Sequence, residues 1–164
     1  MRYRWQGLTA GLAMMAAVAP ALAAEERAPV ACGAMDAALP AELNGWTRVT
    51  DGAVVVGQTR ALTLSPIAAL TFVVAPGRAA DAGTFGAVMT FDVATSGHYR
   101  VALGQGAWID LVKDGKALTS TTHSHGPACS TIRKIVDFDL VPGRYVLQLS
   151  GAKAAAMPVM VVKA

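Results

Sequence analysis

Apolar side chains recur at every second position along most of this chain, in short runs broken by Gly, Pro or Asp. Ala87, Met89, Phe91 and Val93 fall on one face of an extended backbone, as do Tyr99, Val101 and Leu103, and then Tyr145, Leu147 and Leu149. Further runs at 53–56, 61–65, 69–75, 108–112, 117–122, 131–140 and 157–163 are short and rich in residues that favour strands. No helical periodicity of any length follows Trp46. About nine strands at intervals of 8–12 residues predict an all-β protein, an antiparallel β-sandwich of jelly-roll-like form with a small closed barrel as the neighbouring solution.

The turns carry their own chemistry. Lys113-Asp-Gly-Lys116 predicts a tight hairpin, because Asp-Gly supplies the two left-handed positions of a type I′ turn. Residues 78–83 read as a loop. Two strands open alike, Gly97-His-Tyr99 and Gly143-Arg-Tyr145, and each Tyr is expected in the core with its hydroxyl satisfied. Pro158 predicts that the last strand starts at a sheet edge.

The N-terminal stretch follows a different rule. Arg2 and Arg4, an apolar run over 7–18, Pro20 and Ala21-Leu-Ala23 have the form of a secretory leader over 1–23, cleaved near Ala23. The run is shorter than the ~20 residues a membrane-spanning helix needs. The expected location is therefore periplasmic or secreted, with no transmembrane segment in the mature chain. Residues 24–52 read as a tether with a short irregular or helical piece, a turn after Pro40 stopped by Gly45, and Trp46 is expected to pack on the sheet. Residues 53–164 are then the β-sandwich domain.

Removing residues 1–23 from the 164-residue chain leaves 141, enough for one domain with its own core. Of the 14 basic residues two go with the leader, leaving 12 against 11 acidic ones, a net charge of +1. No basic run or basic-aromatic interleaving remains, which argues against a nucleic-acid partner. Cys32 and Cys129 are the only cysteines. In an oxidising compartment they predict a disulfide closing a loop of about 98 residues; the alternative is a free Cys129 thiol serving as a metal ligand.

Candidate chemistry centres on Thr-Thr-His-Ser-His-Gly-Pro-Ala-Cys at 121–129. His123 and His125 stand at i and i+2, so on extended backbone both imidazoles face one way and can share an ion such as Fe, Zn or Cu. Further ligands would come from His98, Asp110, Asp137 or Cys129. The plainer reading is a polar loop whose side chains bond one another. Asp137 and Asp139 also stand at i and i+2, on a strand whose other face carries Val136, Phe138 and Leu140, and are expected to face solvent. Trp108 and Asp110 share a strand face, either as a core Trp or as an exposed platform for a sugar or other flat ligand. Arg133 and Lys134 are either an anion site or surface charges. No catalytic set is complete: there is no Gly-x-Ser-x-Gly elbow and no phosphate loop.

Two resemblances bear on these residues. Gly97-His-Tyr-Arg-Val, Trp108-Ile-Asp-Leu and Pro142-Gly-Arg-Tyr-Val-Leu-Gln-Leu together resemble bacterial pre-peptidase C-terminal-type and related carbohydrate-binding β-sandwiches. That likeness implies a fold and brings no site with it. The stretch 104–145, notably Gly106-Ala-Trp-Ile-Asp and His123-Ser-His-Gly-Pro-Ala-Cys, looks like a group of small exported α-proteobacterial proteins. Some of that group carry the name homogentisate 1,2-dioxygenase. The name implies a ring-cleaving oxidoreductase with two His and a Glu around ferrous iron, whereas Glu25, Glu26 and Glu42 all precede the β domain here. Two readings follow. One is an exported non-catalytic protein that binds a small ligand or envelope component. The other is a metal protein or metal-dependent dioxygenase working through His123 and His125.

Overall fold

Two twisted sheets face each other in the computed structural model, which describes residues 31–164. The expected leader and the first residues of the tether lie outside the described residues. In chain order the strands are β1 (Val49–Thr50), β2 (Thr59–Thr63), β3 (Ser65–Pro66), β4 (Phe85–Val93), β5 (Gly97–Leu103) and β6 (Trp108–Lys113). There follow β7 (Lys116–Ala117), β8 (Thr122–Ser124), β9 (Lys134–Leu140), β10 (Gly143–Ala152) and β11 (Ala156–Lys163). The six-stranded sheet runs β1-β2-β11-β5-β9-β8 and the five-stranded sheet β3-β4-β10-β6-β7. Apart from the two-residue parallel pair β1–β2, every pairing is antiparallel. Without β1, β3 and β8, the wiring is β2-β11-β5-β9 facing β4-β10-β6-β7, that of a jelly roll.

The period-two pattern places the core where it was expected. Phe91, Tyr99, Val101, Leu103, Leu111, Phe138, Tyr145, Leu147, Leu149 and Val159 fill the space between the sheets. Each sandwich Tyr is buried, and its hydroxyl donates to the carbonyl four residues back, Tyr99 to Thr95 at 2.7 Å and Tyr145 to Val141 at 2.7 Å. The ring thereby fills the core while its hydroxyl pins the turn that feeds the strand. Asp114 and Gly115 have φ of 50° and 72°, as the type I′ hairpin requires.

A second apolar layer lies on the outer face of the six-stranded sheet. Leu43 and Trp46 pack there on Ala102, Ile132, Ile135, Met160 and Val162. A 3-10 turn over Ala41–Leu43 follows Pro40, so residues 32–46 are a strap docked on the sheet rather than a free tether. Cys32 and Cys129 form a disulfide, with Cα atoms 5.4 Å apart, that fastens the strap to the loop before β9.

Several local expectations fail for identifiable reasons. Residues 53–56 are irregular, although Val54 is buried. Residues 69–75 alternate like a strand but join no ladder; a 3-10 turn over Ile67–Ala69 leads into an irregular segment bonded at Val73 and Val74 to the Gln148 side chain. The return strand expected at 117–122 stops after Ala117, and the chain crosses to the other sheet as β8. The strand expected at 131–140 begins only at Lys134. Finally, β11 is interior, not an edge. Pro158 is tolerated because its carbonyl accepts from Gly104 N at 3.0 Å, so its missing N–H points the same way, to where β5 has already ended.

Candidate functional site

Alternation on β10 sends Tyr145, Leu147 and Leu149 into the core and Gln148 and Ser150 to the outer face of the five-stranded sheet. Both of those polar residues are nonetheless buried, Gln148 beneath the segment at 73–74 that bonds to its side chain. The Gln148 amide replaces a strand: its Oε1 accepts from Val73 N at 2.6 Å and Val74 N at 3.2 Å, while Nε2 donates to Val74 O at 3.1 Å. Asp110 fastens the end of this segment, accepting from Gly77 N at 3.1 Å and from Trp108 Nε1 at 2.9 Å. A Cβ on residue 77 would sit 3.0 Å from both Asp110 Oδ1 and Trp108 Nε1, so the close approach is suited to glycine.

Beyond Gly77, residues 78–81 form one wall of a cleft of about 320 Å³. Trp108 of β6, Ser150 near the end of β10, Lys134 at the start of β9, and Lys153 complete it. Lys134 Nζ donates to Ala107 O at 2.7 Å and lies 5.3 Å from the centre of the Trp108 ring. Burial lowers the Lys134 pKa, the nearby Arg78 charge lowers it further, and Asp110 opposes both. Ser150 is 2% exposed and its hydroxyl has no hydrogen-bond partner among the described residues. A smaller cavity of about 120 Å³ shares the Trp108 and Lys134 wall and adds Ile109, Val136, Ser120 and His123.

Thus Trp108 stands on an outer face at the cleft, with Asp110 behind it, and not in the sandwich core. Of the expected site residues, Trp108 and His123 border this region. Arg133 and His125 do not: they line a separate cavity beside the disulfide, where His125 Nδ1 is 3.4 Å from Arg133 O. The two histidines part because β8 ends at Ser124 and Gly126 then packs so tightly on Ile132 that an added Cβ would meet the Ile132 carbonyl. Among the described residues, no three His, Cys, Asp or Glu side chains are grouped so that they could hold a metal ion. Cys129 is committed to the disulfide, Asp110 to Trp108 and Gly77, and Glu42 to Arg100. The described residues therefore do not fit the two-His, one-Glu iron site that the dioxygenase resemblance implies.

His98 and Asp137 belong to a different cluster, on the outer face of the six-stranded sheet. Asp137 is buried, contrary to the solvent-facing expectation, because Arg100, Thr122 and His98 close around its carboxylate; Asp139 is exposed as expected. Asp137 accepts from Arg100 Nε at 3.0 Å, Arg100 Nη2 at 3.2 Å and Thr122 Oγ1 at 3.0 Å, and Arg100 Nη1 reaches Glu42 of the strap at 2.8 Å. His98 spans the two carboxylates, Nδ1 at 2.9 Å from Asp139 and Nε2 at 3.4 Å from Asp137. Burial would raise the Asp137 pKa, but the hydrogen bonds from Arg100, Thr122 and His98 outweigh it and the net shift is downward. The His98 pKa is raised, first by its hydrogen bond to Asp139, against a lowering from burial, and then by Asp137.

The sign of the linkage follows. A His with a raised folded pKa contributes stability that is complete below its ordinary value near 6.5 and lost as pH rises through the folded value. Asp137, with a lowered pKa, contributes above its ordinary carboxylate range and loses that contribution as pH falls through the folded value. Wild type should therefore exceed a His98→Asn variant most clearly below about pH 6.5, by under ~1 kcal/mol because His98 is partly solvated. Thermal unfolding of both proteins across pH checks this, and an advantage that does not shrink at higher pH refutes it.

Lys134 stands beside Arg133 in the sequence, whereas no local motif marks Ser150, Arg78 or Lys153. The only sequence trace of Ser150's setting is that two polar residues, Gln148 and Ser150, occupy the outward positions of one strand. Among the described residues no helix is long and apolar enough to cross a membrane. No family model matches the chain, and no curated protein matches it. Fold and site together define a disulfide-bonded β-sandwich with a cation-lined cleft on the outer side of its five-stranded sheet.

Proposed function

We propose that this protein is an exported, non-catalytic binding module that seats a small ligand in the cleft beside Trp108 and Lys134. The observation that carries the reading is the Ser150 hydroxyl, buried on the cleft wall without a partner. An unmet buried hydroxyl costs about 1–3 kcal/mol, which a ligand atom bonded to it would offset. The partly desolvated Lys134 beside an aromatic ring supports the same reading. Around the cleft, Asp110 is held by Trp108 and Gly77, and Asp81 lies 3.9 Å from Lys153. Such an arrangement fixes charge in place and offers no nucleophile paired with a base. Export is supported by the leader pattern and by the disulfide, which belongs to oxidising compartments.

The test is an NMR screen of the leader-processed protein against small metabolites of both charges and none. Hits should shift the Trp108 indole N–H and the Ser150 and Gly151 amides, and should remain chemically unchanged over hours of incubation. Conversion of a hit into product, or hits confined to other surfaces, would refute the proposal.

A further inference from the structure

Resting on that binding reading, we infer that the ligand presents an oxyanion, carboxylate or phosphate, to Arg78, Lys134 and Ser150. The charge of the cleft is the first ground. Arg78, Lys134 and Lys153 line it, and Asp81 is the acidic residue on its wall. Asp81 and Lys153 are both largely exposed and 3.9 Å apart, a pair that water screens. Asp110 stands behind Trp108 with both carboxylate oxygens engaged.

Unused donors are the second ground. Lys134 directs one of its three N–H bonds to Ala107 O, which leaves two. Among the described residues the Arg78 guanidinium has no hydrogen-bond or ion-pair partner, and its charge is close enough to oppose that of Lys134. The Ser150 hydroxyl is buried and unpaired. Three donors on one cleft, two of them mutually repelling cations, are relieved together by an acceptor that carries negative charge. An oxyanion supplies several lone pairs and the charge at once. A neutral hydroxyl compound would satisfy Ser150 and leave the repulsion, and a cation would add to it. The cleft's volume of about 320 Å³ suits a small molecule bearing one such group, and Trp108 offers its body an apolar wall.

The experiment titrates the isotope-labelled, leader-processed protein with inorganic phosphate in one arm and acetate in the other. Saturable shifts at Ser150, Gly151, Ala107 and the Trp108 indole are expected in at least one arm, and the stronger arm names the oxyanion. Arg78→Gln and Lys134→Met should each weaken that anion by about tenfold or more, and Ser150→Ala by roughly two- to tenfold. Arg133→Gln, whose side chain lines the other cavity, should bind as wild type does. Lys134→Met removes a half-buried group and risks the fold; Arg78→Gln changes an exposed loop residue, so the test survives loss of the first variant. Neither anion saturating below about 10 mM overturns the inference, as does binding indifferent to both substitutions. If neutral or cationic compounds shift the same resonances while neither anion does, the oxyanion inference fails and the binding reading stands. If nothing shifts them, both fail.

Discussion

Replacing Cys32 and Cys129 together by serine will destabilise the protein by about 4–5 kcal/mol, nearly all of it through the unfolded chain. The bridged residues are 97 apart in sequence, and the loop they close contains β1 through β8. In the native state the joined segments are also held without the sulfur bridge. Asp36 N donates to Cys129 O at 2.8 Å, and the Asp36 carboxylate accepts from Thr131 N at 2.7 Å and Thr131 Oγ1 at 2.6 Å. Serine leaves those bonds in place. Cys129 has φ of 56°, a left-handed backbone that disfavours any side chain, and serine there retains that cost. The folded states of parent and variant should therefore be nearly alike, and the difference falls on the freedom regained by the open chain. Urea unfolding should show a lower midpoint together with a steeper slope, since an uncrosslinked chain exposes more surface. An unchanged midpoint would mean that the bridge contributes nothing beyond the contacts around it.

What was legible in the sequence is what local rules determine. Tyr99 and Tyr145 were readable as core residues because each bonds to the carbonyl four positions back, within its own turn. The hairpin at 113–116 was readable for the same reason. The alternating strands β4, β5, β6 and β10 were readable because one face of each meets the same core. The failures begin where a segment's partner lies far away in the chain. Residues 69–75 alternate as a strand does, yet at Val73 and Val74 the hydrogen bonds go to one amide 75 and 74 residues distant. Asp137 reads as solvent-facing because nothing in 131–140 discloses that Arg100, Thr122 and His98, from other strands, meet it there. His123 and His125 share a face only if the strand continues, and the packing of Gly126 on Ile132 decides that it does not. The candidate site suffers most from this limit. Trp108, Lys134 and Ser150 come from three strands on two sheets, and Arg78 from a segment with no ladder at all. Period two in the sequence says which residues point outward. It does not say which outward residues are later covered, and coverage is what makes Ser150 and Lys134 chemically unusual.

The second large effect comes from the other covered face, that of the six-stranded sheet beneath the strap. Trp46→Ala should cost about 3–5 kcal/mol, the range for removing a large aromatic from a packed site. Trp46 is 2% exposed and sits with Leu43 on Ala102, Ile132, Ile135, Met160 and Val162. Its indole N–H donates to Thr131 Oγ1 at 2.8 Å, and that hydroxyl in turn donates to Asp36 Oδ2. One residue thus joins the apolar layer to the polar clamp around the disulfide. With the ring gone, a cavity opens between strap and sheet, and water gains access to the apolar layer formed by Ala102, Ile132, Ile135, Met160 and Val162. Trp46→Phe keeps most of the packing and loses the hydrogen bond, so its loss should be near 1 kcal/mol. Urea unfolding gives both magnitudes, and amide exchange locates them. In Trp46→Ala protection should fall at β5, β9 and β11, whose outer faces the strap covers, and remain at β4, β6 and β10. The bridge at Cys32 keeps the strap tethered in both variants, so simple loss of the segment cannot produce this pattern. A cost below about 1 kcal/mol for Trp46→Ala, or exchange that quickens equally in both sheets, would show that the strap is not part of the cooperative fold.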